Sequence, residues 1–376
     1  MRRVLRQGLS TDLAAFRSGV RRFFEDELVP ERDAWEQAGR PPRSFWQRAA
    51  ERGLLGVGVP EDLGGLPGST FRHSAVVTDE AQRAGLTLGG LRVQTDICMP
   101  YFLEHASREQ QRRWVPRLTS GEAVCALAMS EPAAGSDMKA MATTARREGD
   151  HYVVNGAKTF ITNGLSADVV VLAAKTDPGA GRRGISLFVV DAATPGFERG
   201  RKLEKVGLRT QDLAELFLTD VRVPATDRLG EEGRGFEYLS SNLAQERLSI
   251  ALNSQAAASA CLERTLDAVR GTGPDQAAKF ELAACAASVR AGHALADQAL
   301  DDHCAGRLDA AGAAAVKLFC TELQSDVADR CLQVLGAAAY DRRHPVGRAF
   351  ADARVSRIYG GSSEIMKVIV AKALGL

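Results

Sequence analysis

Charge of one sign is missing from this sequence. Across 376 residues, 48 Lys and Arg stand against 47 Asp and Glu. A nucleic-acid binder draws on counterion release from a strongly basic face, so that class of partner is disfavoured. Aromatic residues are scarce, at 6%, which leaves little for base-stacking platforms. No apolar run reaches about 18 residues, so no membrane span is expected. The seven cysteines (Cys98, Cys125, Cys261, Cys285, Cys304, Cys320, Cys331) contain no C-x-x-C pair. Cys and His together show no metal-ligand spacing, so no metal is assigned. The cysteines read as buried thiols of a reducing, cytoplasmic compartment. No glycine-rich phosphate fingerprint precedes a helix, since Gly56-Val57-Gly58 lacks the third glycine. G-x-S-x-G and H-E-x-x-H are also absent.

Length sets what remains. At about 150 residues per domain the chain holds two or three domains, and three textures follow one another. Up to about residue 122, apolar residues recur at three and four, as in Leu13-Phe16-Val20-Phe23. Met1 to Arg6 carries three arginines, as a targeting presequence would. Helical periodicity starts so soon afterwards that a frayed basic end is the preferred reading. From 123 to 232 the texture turns to strand: Tyr152 to Lys158 around Asn155-Gly156, then Val169 to Leu172, Ile185 to Val190 and Leu216 to Val223. Asn-Gly between β-prone runs predicts a hairpin turn. Short strands without intervening helices predict a small antiparallel β-barrel or sandwich. From 233 to 376 the chain is Ala-rich and helical, with periodic stretches near 236–270, 275–305, 308–338 and 347–374 that predict an antiparallel four-helix bundle. The expected fold is therefore mainly α with a central β domain: 1–122 all-α, 123–232 β, 233–376 bundle.

Two segments carry chemistry. Met129-Ser130-Glu131-Pro132-Ala133-Ala134-Gly135-Ser136-Asp137 is a polar loop of small residues, through which backbone N–H groups can approach a ligand. Taken alone it is equally a capped turn. Thirty residues later comes Phe160-Ile161-Thr162-Asn163-Gly164. With Gly53-Leu54-Leu55-Gly56, Pro60 to Gly65, Gln245-Glu246-Arg247-Leu248, and Asp352 to Arg357 followed by Ile358-Tyr359-Gly360-Gly361-Ser362-Ser363-Glu364, these motifs resemble those of the acyl-CoA dehydrogenases. The resemblance runs from about residue 12 to 374.

What the resemblance implies can be placed on this sequence. The cofactor is FAD. Leu127, Met129, Ser130, Gly135 and Ser136 would line the flavin, with Ser130 on its pyrimidine edge. Phe160, Ile161 and Thr162 would lie on its other side, the Thr162 hydroxyl near N5. Gln333, Val334, Gly336, Ala337, Ser362, Ser363 and Glu364 would contact the adenosine and pyrophosphate end. Ser136, Leu243, Arg247, Tyr359 and Gly361 would contact the substrate. That substrate would be a thioester on CoA or on an acyl carrier protein. The partner would be an electron-transferring flavoprotein or similar acceptor, and the assembly a homodimer or homotetramer.

The reaction needs a base for a weakly acidic α-proton and a donor for the thioester oxygen. Many family members carry the base as the residue after the tyrosine in the Y-E-G motif; here that residue is Gly360. Other members, the isovaleryl and long-chain types, place it on an earlier helix, where this chain has Glu246. Leu239, Leu243, Glu246 and Ile250 form one helical stripe. From the residues alone, Glu246 is either a desolvated base or a surface glutamate paired with a cation such as Arg247. The resemblance favours the base, with the Gly360 backbone N–H retained as a catalytic donor and Glu364 as a rival carboxylate. Two motifs depart from the family: the R-x-x-F-G segment is replaced by Val269-Arg270 running into Gly271 to Gln276, and G-G-N-G by Gly336-Ala337-Ala338-Ala339. These departures read either as loop drift or as weakened FAD retention. The expected activity is FAD-dependent α,β-dehydrogenation. A flavin monooxygenase of the same fold and a degenerate, non-catalytic member are the alternatives.

Overall fold

Among the described residues the N-terminal layer holds seven α-helices, two of which start at side-chain caps. The computed structural model describes residues 11–376, and the basic segment at 1–6 lies outside them. The helices are α1 (Thr11–Phe23), α2 (Arg32–Ala38), α3 (Arg43–Glu51), α4 (Phe71–Ala84), α5 (Gly89–Arg92), α6 (Met99–His105) and α7 (Arg108–Thr119). Thr70 with His73 and Ser107 with Gln110 form capping boxes at the starts of α4 and α7. Between α5 and α6 a π-helical turn, Val93–Cys98, re-aims the chain. Inside this layer the carboxylate of Glu80 on α4 is fully buried. It accepts from Arg17 (2.7 Å), Arg21 (2.8 and 2.9 Å) and Arg83 (2.8 Å), fastening α1 to α4.

Eight strands follow: β1 (Cys125–Ala128), β2 (Thr144–Glu148), β3 (His151–Thr162), β4 (Val169–Lys175), β5 (Ile185–Asp191), β6 (Phe197–Lys202), β7 (Leu213–Pro224) and β8 (Arg228–Leu229). They form one sheet in the order β6-β7-β3-β2-β4-β5-β8, with β1 added parallel to β4. The expected barrel is corrected on two counts. The sheet is open, and β1–β4 and β2–β4 are parallel. Residues 169–174 of β4 are buried without a break, as a strand covered on both faces requires. One face packs on Met99, Phe102 and Trp114 of the helical layer and on Leu239. The other closes on Tyr152, Phe188, Leu216 and Val221 of the sheet itself.

The Asn155-Gly156 hairpin is also corrected, because the pair lies inside β3. There it makes a register shift against β7. Asn155 exchanges hydrogen bonds with Asp220, donating at 3.0 Å and accepting from its backbone N–H at 2.9 Å. A Cβ on Gly156 would stand 2.3 Å from Thr143 Oγ1. The glycine is needed there for close approach, so it does not mark a turn.

The C-terminal helices are α8 (Gly235–Val269), α9 (Gln276–Cys304), α10 (Ala310–Leu335), α11 (Pro345–Ala353) and α12 (Ser363–Ala373). Asp275 and Asp309 cap α9 and α10 through the N–H groups of Ala278 and Gly312. The fourth helix, expected near 347–374, is broken between α11 and α12. Gly360 and Gly361 have φ of +61° and +90°, which a continuous helix of L-residues does not allow. Six cysteines are buried, as expected; Cys304 at the end of α9 is exposed.

Burial alone would raise the Glu80 carboxyl, but hydrogen bonds from Arg21, Arg17 and Arg83 outweigh it and hold the group at about 2. An acid held down on folding stabilises the fold above its ordinary value of 4.5 and loses that effect as pH falls toward 2. Glu80→Gln is therefore expected to cost about 3 kcal/mol near neutrality. In urea unfolding, the gap between wild type and variant should close as pH drops below about 4.5.

Candidate functional site

The face of α8 that meets α6 and the π-helical turn supplies the centre of the site. Asn242 donates to the Ile97 carbonyl (2.9 Å) and Gln245 to that of Asp96 (2.7 Å), fixing α8 against the turn. One turn further along α8, Ser249 donates to Asp96 at 2.5 Å. The same carboxylate also accepts from Ser74 (2.5 Å) and Thr95 (2.9 Å). Within this frame Glu246 is 8% exposed. Burial raises its carboxyl above the ordinary range, and the charges of Arg247 and Lys317 pull the other way. The surface-glutamate alternative is thereby removed, since among the described residues neither cation forms an ion pair with Glu246.

The break between α11 and α12 lies directly over this carboxylate. A Cβ on Gly360 would stand 3.5 Å from Glu246 Oε1 and 2.1 Å from Ile250 Cδ1. The residue after Tyr359 and the carboxylate of α8 therefore converge on one place. Leu243, Tyr359 and Gly361 are half-buried. Arg247 is buried, and its Nε has no hydrogen-bond partner in the protein.

The second half of the site is a loop pinned to a strand. Lys158 of β3 has its side chain fully buried and donates to Glu131 Oε1 (2.7 Å) and to the Met129 carbonyl (3.2 Å). Glu131 also accepts from the N–H groups of Ala142 (2.6 Å) and Thr143 (3.1 Å), and the Thr159 N–H donates to the Ser130 carbonyl at 3.0 Å. These bonds bring the loop that carries Leu127 to Ser136 against the strand that carries Phe160 to Thr162. Gly135 and Ser136 are exposed; Leu127, Met129 and Ser130 are half-buried.

Phe160 is 66% exposed and sits at φ +57°, in the left-handed region, which a bulky residue occupies only when its surroundings impose it. A bulge between Lys158 and Ile161 turns its ring outward. Ile161 is buried. Thr162 accepts from Gln211 Nε2 at 2.9 Å, so its own hydroxyl proton is free to donate outward. Gln211 and Asn163 fit because α5 opens with Gly89 and Gly90. A Cβ there would stand 1.7 Å from Gln211 Oε1 and 2.3 Å from Asn163 Oδ1. An aromatic face held open to solvent, beside an uncommitted hydroxyl and a loop of small residues, suits the flat, hydrogen-bonding ring of a flavin.

The other proposed FAD residues lie at and just beyond the C-terminal end of α10 and at the N-terminal end of α12. Gln333, Gly336 and Ala337 are exposed and Val334 is half-buried. Ser362 caps α12 by accepting from Ile365 N–H. Ser363 is buried, and its hydroxyl proton goes to Glu322 at 2.6 Å. Glu364 is exposed on the first turn of α12. Its own backbone N–H and Ser362 hold its carboxyl below the ordinary range, the wrong direction for the rival base. Arg270 folds back on Asp267 at 2.5 Å.

Several residues of the site were not singled out from sequence. Asp352 of α11 accepts from the Leu208 N–H (2.5 Å) and from Thr87 (3.3 Å), joining bundle, sheet loop and helical layer; burial raises its carboxyl to about 6. Gln211 lies three residues beyond Leu208 on that loop, so the three-way junction also seats the Thr162 hydroxyl. Lys317 had a visible signal, as the only charged residue between Asp309 and Glu322. Gln211 had none, because its partner is 49 positions away.

Comparison with known proteins agrees with this fold. The family models for the N-terminal, middle and C-terminal domains of acyl-CoA dehydrogenase match residues 10–122, 126–221 and 233–375. The chain is 39% identical to the long-chain specific acyl-CoA dehydrogenase of Sus scrofa, over 98% of this chain and 88% of that protein. It is 33% identical to the isovaleryl-CoA dehydrogenase of Oryza sativa subsp. japonica, over 96% and 90%. The crystal structure of an acyl-CoA dehydrogenase from Geobacillus kaustophilus superposes with a TM-score of 0.96 at 41% identity, covering 99% of this chain and all of the other.

The Lys158–Glu131 pair supports a test of the loop. Burial lowers the Lys158 ammonium to about 8 against the pull of Glu131. Lys158→Met leaves a buried carboxylate without its cation and is expected to cost about 3 kcal/mol or more in urea unfolding. Adding Glu131→Gln is expected to recover part of that loss. Additive losses in the double variant would contradict the pairing.

Proposed function

The chain belongs to the acyl-CoA dehydrogenase family, and from that premise we infer which of its residues run the reaction. It is an FAD-dependent oxidoreductase that removes two hydrogens across the α,β bond of an acyl-CoA. Loop 129–136 and Phe160 to Thr162 would hold the flavin ring, and the ends of α10 and α12 the rest of the cofactor. When bound, FAD supplies the acceptor for the β-hydrogen and its electron pair.

The observation that carries the assignment is a buried carboxylate beneath a position that has no side chain. Glu246 takes the α-proton. Its desolvation makes it a stronger base than a solvated glutamate, which such a weak acid demands. The Gly360 N–H donates to the thioester oxygen as negative charge develops there, and a backbone donor needs no side chain. The unpartnered Nε of Arg247 is a second buried donor, on a residue within electrostatic reach of Glu246. Leu243 and Tyr359 border the acyl chain, and Ser136 the carrier arm. The burial of Glu246 also weighs against a monooxygenase, whose chemistry has no use for it.

The substrate is a fatty or branched acyl-CoA, and similarity to long-chain enzymes favours a long straight chain. The electron acceptor is an electron-transferring flavoprotein or a similar carrier. Exposed Phe280 on α9 and Phe319 on α10 support assembly into a homodimer or homotetramer. No described helix is long and apolar enough to cross a membrane, in keeping with a cytoplasmic enzyme.

Two outcomes test this reading. Glu246→Gln should keep its flavin. On anaerobic mixing with acyl-CoAs of graded length, it should lose flavin reduction by about 10²–10⁴-fold; wild-type rates would contradict the assignment. With Arg270 turned onto Asp267 and no R-x-x-F-G segment, FAD should also be lost on dilution and gel filtration. Full flavin stoichiometry afterwards would contradict weak retention.

A further inference from the structure

Lys317 is a cation with no exposed surface in an otherwise apolar stretch of α10. Burying an ammonium is expensive unless its protons and charge are answered. One proton goes to the Gly361 carbonyl at 2.6 Å. Gly361 follows Gly360, and both are left-handed. Two consecutive glycines are the least self-restrained backbone a turn can have. Yet this turn must hold Gly360 where a Cβ would stand 3.5 Å from Glu246 Oε1 and 2.1 Å from Ile250 Cδ1. The anchor that holds it is the ammonium of a different helix.

Resting on the reading of Glu246 as base, we propose that Lys317 is a positioning residue for the reaction, acting through the turn that covers the carboxylate and through its own charge. The groups facing Glu246 come from four elements. Arg247 lies beside it on α8, Lys317 on α10, Tyr101 on α6 and Cys98 on the π-helical turn. Burial pushes the Tyr101 hydroxyl and the Cys98 thiol upward, so both stay neutral near pH 7. Arg247 and Lys317 are therefore the charges that favour the ionised, proton-accepting form of Glu246. Lys317 in turn faces Glu246, Glu322 and Glu364, which support its charge against burial and Arg247; it sits at about 8. Below about pH 8 it is a cation within electrostatic reach of the base.

The sign of the effect follows. Removing this cation makes the Glu246 carboxylate harder to form, so the acid limb of kcat/KM moves to higher pH. A purely structural lysine would lower the rate at every pH and leave the limb in place. The experiment measures kcat/KM for an acyl-CoA from about pH 5 to about pH 9 in the holoenzyme, Lys317→Gln, Lys317→Arg and Glu246→Gln. Flavin content and melting temperature serve as checks of folding. Lys317→Gln is expected to shift the acid limb up by at least about half a unit. It should also lower the maximal rate by about 10-fold, because the turn loses its anchor. Lys317→Arg keeps the charge and is expected to keep the limb within about 0.2 unit of wild type, whatever its rate. An unmoved limb in Lys317→Gln, or equal shifts in both variants, overturns the proposal. If Lys317→Gln does not fold, a limb displaced in Lys317→Arg likewise overturns it, and a wild-type limb there supports it. Activity persisting in Glu246→Gln would instead overturn the underlying reading of the base.

Discussion

A carboxylate excluded from water is a stored basicity. Removing Glu246 from solvent disfavours its charged form, and the rest of the site can be understood as the means of keeping it there. The helical layer supplies one wall through the π-helical turn, clamped by Asn242, Gln245 and the Asp96 network. The bundle supplies the cover through the break at Gly360. That break is the one place where the fourth bundle helix gives up its regular hydrogen bonds, and it falls over the buried charge. A side chain at 360 would meet Ile250. Glycine there and glutamate on α8 therefore form one compatible solution to the same space.

The flavin side shows the same economy of means. A lysine–glutamate pair, buried within the sheet domain, ties the ligand loop to β3 so that Ser130 and Thr162 keep a fixed relation. Buried pairs of this kind add little net stability and are costly to break, which makes them better suited to fixing geometry than to strengthening a core. The junction at Asp352 carries that geometry outward. Leu208 and Thr87 meet on it, and the loop it holds ends at Gln211, behind the Thr162 hydroxyl. The hydroxyl's orientation thus depends on all three parts of the chain.

Much of this was legible in the sequence, for identifiable reasons. Helical periods mark α1 and α8 to α10, because each is decided locally. The stripe through Glu246 is legible for the same reason, though whether it faces core or solvent is not, because that depends on the π-helical turn, whose Asp96 is 149 positions from Gln245. The Asn155-Gly156 pair misled because its conformation is set by packing on Thr143 rather than by local turn preference. The open sheet was hidden for a similar reason: β1 joins β4 across 44 residues in a parallel pairing that no hairpin signal announces. Gln211 and the Asp352 junction are non-local throughout, while Lys317 left a trace as a lone charge among alanines.

The central claim is that Glu246 moves the α-proton. It is tested most directly by separating that step from hydride transfer. An acyl-CoA with a quaternary β-carbon has α-hydrogens to exchange and no β-hydrogen to give up. The holoenzyme should catalyse exchange of its α-hydrogens with deuterated solvent, followed by mass spectrometry of the thioester, and Glu246→Gln with its flavin in place should not. Exchange at the wild-type rate in that variant would contradict the account.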